Sequence, residues 1–157
     1  MLLGLASDAC QVGRDMVTTD YTISFFDDKD QEALSIIGPG IHFYNQAQAG
    51  ENHSQPLCLV LRDAEGTILG GLVGATYWGW LYVDLFWLPE GQRGQGYGRE
   101  ILQQAEEEAR HRGCTQAYLD TFSFQAPGFY ERLGYEVYGE LDAFPEGFKR
   151  YWMKKAL

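Results

Sequence analysis

A glycine-rich segment of this chain has the composition of a turn that binds an anion. It reads Arg93-Gly94-Gln95-Gly96-Tyr97-Gly98 and lies between a strand-like apolar run, 81–88, and a helical pattern that begins near Tyr97. Glycines let backbone N–H groups approach a ligand closely, and the first N–H groups of a helix are unpaired and carry positive dipole. The segment therefore predicts a phosphate or pyrophosphate site, with the Arg93 guanidinium as a charged fork at its leading edge.

Two common nucleotide-binding patterns do not match this turn. A Rossmann dinucleotide site needs G-x-G-x-x-G, and although Gly94 and Gly96 fit, the third required position is Arg99. A P-loop needs a terminal Gly-Lys followed by Ser or Thr, and this is also missing. A tight turn without a ligand is the structural alternative, so the neighbouring elements must decide.

The apolar patterning predicts a mixed α/β sheet around the turn. A helix capped by Asp30 is expected to end at Ile37, where Gly38-Pro39-Gly40 interrupts it, and a second helix follows over 41–49. The long helix after the glycine turn is closed by Gly113. The other predicted elements are strands over 21–26, 57–62 (buried), 67–78, 80–88, 116–122, 135–141 and 149–155, and a short helix over 127–133.

Length and composition indicate one globular domain. A chain of 157 residues with 45% apolar and 15% aromatic residues can form a sizeable core, and residues 1–18 are expected to be a loosely ordered lead-in. The formal charge of −10 excludes nonspecific nucleic-acid binding, which needs the opposite sign. An acidic surface could attract a cationic substrate, although solubility explains it as well.

Neither a metal site nor a membrane segment is predicted. Cys10, Cys58 and Cys114 form no C-x-x-C pair, so reduced, buried thiols are expected, and no carboxylate–histidine cluster has metal-ligand spacing. The apolar opening, 1–6, is too short for a signal sequence, and no basic residue precedes Arg14. No stretch approaches the ~18 apolar residues of a membrane span. We therefore expect a soluble cytoplasmic domain.

Two motifs of the chain resemble those of the GNAT superfamily of N-acetyltransferases. Arg93, Gly96 and Gly98 occupy the fixed positions of its acyl-CoA signature, R-x-x-G-x-G, after a strand and before a long helix. Further along, residues 126–135 are similar to the second signature, A-x-x-x-Y-x-x-x-G-[F/Y]. With the order of elements, the resemblance extends from about residue 21 to the C-terminus. It implies the GNAT acyltransferase fold, a mostly antiparallel sheet flanked by helices.

The resemblance implies direct transfer of an acetyl group from acetyl-CoA to an amine in a ternary complex. Amides of the turn and the helix dipole would hold the pyrophosphate. A strand splayed from its neighbour would free backbone groups near Phe86 and Leu88 to pair with pantetheine and polarise the thioester carbonyl. Ser123 departs from the family pattern, since many relatives carry an asparagine there, beside the pantetheine arm. The predicted cofactor-binding residues are Phe86, Leu88, Arg93, Gly94, Gln95, Gly96, Tyr97, Gly98, Arg99, Ser123 and Tyr130.

Two residues are predicted to be catalytic within the same resemblance. Tyr130 would donate a proton to the CoA thiolate, because a phenol with a pKa near ~10 is protonated at neutral pH. An ordinary buried aromatic is the alternative. Asp84 is the first candidate for the base that deprotonates the amine, since in a regular strand it shares a face with Phe86 and Leu88. Asp120, on the adjacent strand, is the second, and either carboxylate could instead be structural or orient the substrate.

The acceptor is not identified by the sequence. His42 and His53 fall in the region where GNAT proteins bind acceptors, about 30–55, and His111 is expected at an exposed helix end. Antibiotics, polyamines, amino acids and protein N-termini all fit, and family habit suggests a homodimer. A catalytically idle acyl-CoA-binding module is the alternative function. The aromatic residues that could line an acceptor pocket, or else pack in the core or at a dimer surface, are Tyr77, Trp78, Trp80, Tyr82, Phe43 and Tyr44.

Overall fold

The computed structural model describes residues 21–157. The chain divides into two compact units, one ending at Ala47 and one comprising Gln48–Leu157. The first contains most of helix α1, and the second contains the sheet and the glycine turn. The elements are α1 (Gln31–Ala49), β1 (Gln55–Arg62), β2 (Ile68–Tyr77), β3 (Trp80–Trp87), a 3-10 turn (Glu90–Gln92), α2 (Tyr97–His111), β4 (Gln116–Phe122), α3 (Pro127–Glu131), β5 (Glu136–Asp142) and β6 (Lys149–Ala156).

Helix α1 is more continuous than its sequence predicts. Asp30 caps it as predicted, since the Ala33 amide donates to Asp30 Oδ1 at 2.6 Å. The predicted interruption at Gly38-Pro39-Gly40 is wrong, because one helix runs over Gln31–Ala49 with Pro39 inside it. A proline removes one i→i−4 hydrogen bond, and the intact turns on both sides carry the helix through that position.

The strand predicted over 21–26 is also wrong. Residues 22–26 have no regular secondary structure, and Tyr21 forms an isolated bridge. Ile23 and Phe25 are largely exposed. Strand preference reflects packing against a neighbouring strand, so a run of branched and aromatic residues does not form a strand without a ladder partner. The lead-in predicted for 1–18 lies outside the described residues.

The second unit contains a six-stranded mixed sheet with the order β1-β2-β3-β4-β6-β5. Neighbouring strands are antiparallel except β3 and β4, which are parallel and are connected through α2. The predicted mixed, mostly antiparallel α/β sheet is confirmed. β3 and β4 point the same way and β6 points the opposite way. The carboxyl ends of β3 and β4 and the beginning of β6 therefore lie at the same end of the sheet. The glycine turn follows β3 at that end.

One face of the sheet packs against helix α2. Along β4, buried Ala117, Leu119 and Thr121 alternate with half-buried residues, as a strand with one covered face requires. The largest fully buried side chains are Leu72, Leu81, Leu119 and Met153 from the strands and Leu102 from α2. Each stabilises the fold by roughly 1.5–3 kcal/mol through burial. This layer anchors α2 on the sheet and so places the first turn of α2 beside the end of β3.

Strand β1 differs from its prediction as a buried strand. It is the edge strand of the sheet, and although Leu57 is buried, Cys58 and Val60 are exposed. One face of β1 lies on the helix layer and the other is exposed, so alternate side chains of the strand remain exposed. The expectation of buried thiols is therefore wrong for Cys58 and confirmed for Cys114, whereas Cys10 lies outside the described residues.

The other boundaries agree with the predictions within about two residues, as assignments at element ends generally do. Gly113, with φ of 82°, follows the end of α2. Helix α3 ends at Glu131 instead of Leu133, and Gly134 follows it in the left-handed region with φ of 88°. Within residues 21–157, none of the helices has the length and apolar character needed to cross a membrane.

Candidate active site

The parallel strands β3 and β4 separate at the end of the sheet that carries the glycine turn. Their ladder runs from the pair Trp80 and Gln116 to the pair Val83 and Leu119, and there it stops. Both strands continue beyond it, β3 to Trp87 and β4 to Phe122. Backbone groups of the two strands that would face each other are therefore not paired across this opening, which is the separation that the family resemblance implies.

A bulge in β3 places Asp84 differently from the prediction. Gly74 pairs with Val83 and Val73 pairs with Leu85, so Asp84 is the extra residue on β3. Alternation therefore shifts at this point, and Phe86 and Leu88 pack on the buried side that Leu81 and Val83 also occupy. The prediction that Asp84 shares a face with Phe86 and Leu88 is wrong, because that face count assumed a regular strand.

The Asp84 carboxylate lies on the opposite face of the sheet and is exposed. Its Oδ1 accepts a hydrogen bond from the Tyr82 hydroxyl at 3.1 Å. Burial, that hydrogen bond and the charges of Asp84 and Asp120 raise the pKa of Tyr82. Asp84 on β3 and Asp120 on β4 directly follow the last ladder pair, Val83 and Leu119, so they lie on either side of the opening.

The glycine turn has the geometry of an anion cradle. Gly94 and Gly96 have φ of 73° and 93°, and α2 starts directly after Gly96. Within the described part of the chain, the backbone N–H groups of residues 94–99 have no acceptor. A Cβ atom at Gly94 or Gly96 would meet nothing within 4 Å, so the left-handed backbone, not crowding, favours glycine there. Six consecutive unpaired donors at a helix N-terminus suit a phosphate group.

Arg93 and Gln95 fasten this turn to the segment before it. Arg93 Nε donates to the Leu88 carbonyl at 2.9 Å, and Gln95 Nε2 donates to the Gly91 carbonyl at 2.6 Å. The Arg93 side chain therefore holds the turn to the residue that follows β3, and its terminal Nη groups are the ones left for a ligand. Contact of Arg93, Gln95, Tyr97 or Arg99 with a phosphate stays a prediction.

Helix α3 packs onto the turn and positions Tyr130. A Cβ atom at Gly98 would lie 3.5 Å from the Phe129 ring and 3.7 Å from Leu88, so α3 sits against the first turn of α2 and the end of β3. The Phe129 ring also meets Phe86 at a centroid distance of 6.0 Å. Sequence reasoning missed this anchoring role of Phe129, although an aromatic residue beside Tyr130 in a short helix was a usable signal.

Tyr130 is a buried phenol whose hydroxyl has no hydrogen-bond partner among the described residues. The residue is 8% exposed, and its ring packs edge-on against Phe129 and Tyr135. Burial raises the pKa of Tyr130 to about 12, and the charge of Asp120 adds to the shift. A phenol in this state keeps its proton at neutral pH and can donate it.

Asp120 is held in an ion pair that sequence reasoning missed. Arg150 Nε donates to Asp120 Oδ2 at 2.7 Å, and the guanidinium lies over the Trp152 ring at 5.2 Å. Asp120 is thus paired with a cation, whereas Asp84 is hydrogen-bonded by a neutral phenol, so Asp84 is the carboxylate at the opening whose charge is not neutralised. Arg150 and Asp120 lie far apart in the chain and meet through the register of β4 and β6, for which the sequence carries no signal.

Ser123 is tied to the beginning of β6. Its amide donates to the Lys149 carbonyl at 2.9 Å, and its hydroxyl oxygen accepts from the Lys149 amide at 3.1 Å. The hydroxyl proton remains available, so the predicted contact of Ser123 with pantetheine stays a prediction.

Four of the remaining candidates, Tyr77, Trp78, Trp80 and Tyr82, meet in one aromatic cluster around Tyr118. Tyr82 stacks on Tyr118 at 4.8 Å, and the Tyr77 hydroxyl hydrogen-bonds the Tyr118 hydroxyl, so these aromatics pack on one another. His111 Nε2 lies 3.4 Å from a Glu107 oxygen on the surface of α2. Among residues 21–157, no three His, Cys, Asp or Glu side chains are grouped to hold a metal. Trp78 contacts Tyr77 at a centroid distance of 6.1 Å and half-buried Trp80 contacts Tyr118 at 6.0 Å, so both belong to the cluster of Tyr77, Tyr82 and Tyr118. His53 has a positive φ, and His42, Phe43 and Tyr44 lie in α1.

Comparison with known proteins identifies the family. Residues 15–135 match the model of the acetyltransferase (GNAT) family. The chain is 42% identical over 126 residues to the acetyltransferase Atu2258 of Agrobacterium fabrum, which covers 80% of this chain and 92% of that protein. It is 42% identical over 93 residues to a blasticidin-S acetyltransferase of Streptomyces morookaense, covering 59% and 68% of the two chains. A crystal structure from Agrobacterium tumefaciens, 40% identical, superposes with a TM-score of 0.81 over 86% of this chain and 98% of the other. The chain belongs to the GNAT acetyltransferase family.

Proposed function

We propose that this chain transfers an acetyl group from acetyl-CoA directly to a primary amine of a small molecule or peptide. The observation that carries the proposal is that two features lie together at one end of the sheet. Residues 94–99 offer N–H groups without an acceptor in the described chain, and β3 and β4 have no mutual ladder beyond Val83 and Leu119. The first feature suits a pyrophosphate and the second suits an extended arm with amide groups, and CoA contains both.

The donor would be held mainly by the backbone. The N–H groups of Gly94 to Gly98 and the α2 dipole would bind the pyrophosphate, with the Arg93 Nη groups and Arg99 as neighbouring cations. The unpaired backbone of β3 around Phe86 and Leu88 would pair with pantetheine and place the thioester between β3 and β4. A backbone N–H directed at the thioester oxygen stabilises the negative charge that develops there.

The chemistry moves one acetyl group and releases one proton in total. The ammonium group of the acceptor first loses a proton, and the neutral nitrogen then attacks the thioester carbon, forming a C–N bond. The C–S bond breaks as the nitrogen loses its second proton, and Tyr130 gives its hydroxyl proton to the departing CoA sulfur. Tyr130 then regains a proton, so that the products are the amide, CoA thiol and one proton.

Asp84 is the proposed first proton acceptor. Its carboxylate is exposed at the opening, its Tyr82 partner is neutral, and Asp120 is already paired with Arg150. The bulge turns Asp84 to the face opposite the core, so the amine would approach the thioester from that face. A negative carboxylate there also attracts the ammonium form of the acceptor.

Similarity to a blasticidin-S acetyltransferase supports a small-molecule acceptor. The alternative, an acyl-CoA-binding module without activity, accounts for the glycine turn. A binding module without activity has no use for a proton donor, whereas Tyr130 is a buried phenol that keeps its proton at neutral pH.

Two measurements on the full chain test the proposal. A calorimetric titration with CoA is expected to show one site, and a thiol-release assay with acetyl-CoA is expected to show turnover with primary amines. If CoA does not bind, the assignment of the glycine turn is wrong. If CoA binds but no amine in a broad panel releases thiol, the idle binding module is the correct function.

A further inference from the structure

A cluster of phenylalanine rings lies at the end of the sheet that carries the glycine turn. Phe122 is the last residue of β4, and Phe124 follows it in the next turn. Phe144 and Phe148 belong to the connection between β5 and β6. Because β6 runs antiparallel to β4, it begins at this same end of the sheet. We call these four residues the aromatic platform.

The platform presents ring surface to solvent. Phe122 and Phe124 are stacked, with centroids 5.1 Å apart and an interplanar angle of 10°. Phe148 meets Phe124 edge-on at 5.0 Å. Phe124 is 54% exposed, Phe144 is 47% exposed and Phe148 is 45% exposed. Exposed rings in mutual contact are an unusual use of apolar surface, and such patches commonly mark binding sites.

The platform is continuous with the proposed acceptor side of the active site. The Arg150 guanidinium lies 5.3 Å from the centroid of Phe122 and 5.6 Å from that of Phe144, while its Nε binds the Asp120 carboxylate. Arg150 therefore joins the platform to Asp120, the first residue of β4 beyond the end of the β3–β4 ladder.

The charges around the platform favour a cationic ligand. Arg150 neutralises Asp120, which leaves the exposed Asp84 carboxylate as the free charge at the opening. At the start of β6, Lys149 is bound between Glu140 and Asp142 at 3.0 and 2.9 Å, and this group of three side chains has a net charge of −1. An ammonium group is therefore attracted toward the site, and a free carboxylate is not.

We propose that the acceptor is a primary amine attached to a planar aromatic or heteroaromatic group. This rests on the proposed acetyl transfer and narrows the acceptor. The ring stacks on the platform, and the ammonium group reaches the Asp84 side of the opening, where it is deprotonated and attacks the thioester as described above. An unbranched polyamine or a small amino acid would leave the platform unused.

A matched pair of amines tests this acceptor class. In a thiol-release assay with acetyl-CoA, 2-phenylethylamine is expected to have a kcat/KM about threefold to tenfold higher than 2-cyclohexylethylamine, which has the same charge and chain length. Phe124→Leu and Phe148→Leu should each reduce this ratio toward one while leaving the Kd for CoA unchanged. Val60→Ala, which trims an exposed side chain on the distant edge strand β1, should leave the ratio as it is.

The outcomes separate this inference from the proposed function. Equal kcat/KM for the two amines, or equal losses for both in the Phe124 and Phe148 variants, overturns the platform and leaves acetyl transfer intact. If neither amine is acetylated, calorimetry on the CoA-loaded protein decides. A Kd ratio of at least about threefold in favour of 2-phenylethylamine supports the platform, and no preference overturns it. Sedimentation tests the other possible occupant of the platform, a second copy of this chain. If the protein is a dimer and Phe124→Leu abolishes the dimer, the rings form a dimer contact and the inference is overturned.

Discussion

The two sides of the opening between β3 and β4 are built from different parts of the chain. The proposed donor side consists of the consecutive backbone N–H groups of residues 94–99, whose conformation depends on positive φ at Gly94 and Gly96. The proposed acceptor side consists of side chains from separate strands, chiefly Asp84, the Asp120–Arg150 pair and the aromatic platform. A backbone site needs a few neighbouring residues, whereas a side-chain site needs the correct register of several strands.

This difference has a functional consequence. Backbone donors recognise a pyrophosphate whatever side chains surround them, so the donor side can serve one cofactor in chains with different substrates. Side chains on strands can be exchanged one at a time, so the acceptor side is where specificity changes. Variants on the two sides should therefore have separable effects, and replacement of Tyr130, the proposed proton donor, should affect neither affinity.

Tyr130→Phe is expected to have the largest effect. Loss of the proton donor should lower kcat by about 10²- to 10³-fold. Burial and the Asp120 charge, and no side-chain hydrogen bond, act on this hydroxyl, so Tm and the Kd for CoA should be nearly unchanged. Steady-state kinetics, calorimetry and thermal melting measure these quantities, with Tyr138→Phe on the exposed face of β5 as the matched control. A parallel loss of CoA affinity would assign Tyr130 to binding instead of proton transfer.

Asp84→Asn is expected to lower kcat/KM for the amine by about tenfold to 100-fold without changing the Kd for CoA, because it removes the base and keeps the shape. Asp120→Asn is the comparison, since it should chiefly lower Tm by leaving Arg150 without its partner. If Asp120→Asn lowers kcat more than Asp84→Asn at equal stability, the proton acceptor is Asp120 and the acceptor side is arranged differently from our proposal.

Gly96→Val tests the donor side alone. A branched residue at φ of 93° must shift the backbone, so we expect CoA to bind about tenfold more weakly. Gly66→Val is a matched control because Gly66 also has positive φ, 86°, and open space around a Cβ atom, but lies in the turn between β1 and β2. Both variants should lose similar stability, and equal CoA affinity in the two would refute a pyrophosphate site at residues 94–99.

The pH profile should show the smallest effect. Burial and the Asp120 charge raise the pKa of Tyr130 to about 12, so the general acid stays protonated well above the ordinary phenol pKa of about 10. We therefore expect kcat to show no alkaline decline from Tyr130 below about pH 11, and a decline centred near pH 10 would contradict this role.

The same shift has a consequence for stability. The folded protein keeps the Tyr130 proton at a pH where the unfolded chain loses it, so this contribution to stability is fully present below about pH 10 and is lost as pH rises toward 12. Alkaline unfolding curves of the wild type and Tyr130→Phe should differ in that window, with the variant losing less stability.

Predictions from the sequence succeeded where the determinants are local. Helix α2 starts at Tyr97 and β4 spans Gln116–Phe122, both as predicted, because glycines and apolar periodicity define them within a short window. The predictions were wrong where contacts with residues distant in the sequence decide the conformation. The run 21–26 has strand composition but is not a strand, and the face of Asp84 changed because a bulge against β2 breaks the alternation.

The amino-acid sequence by itself determined the glycine turn, the start of α2 and the second motif with Tyr130, since these depend on backbone preferences of neighbouring residues. Only the tertiary structure decided that Asp84 faces away from the core, that Arg150 holds Asp120, and that four phenylalanine rings meet beside them. Those contacts join residues from different strands, and strand register is set by the packing of the whole sheet, which no local stretch of sequence encodes.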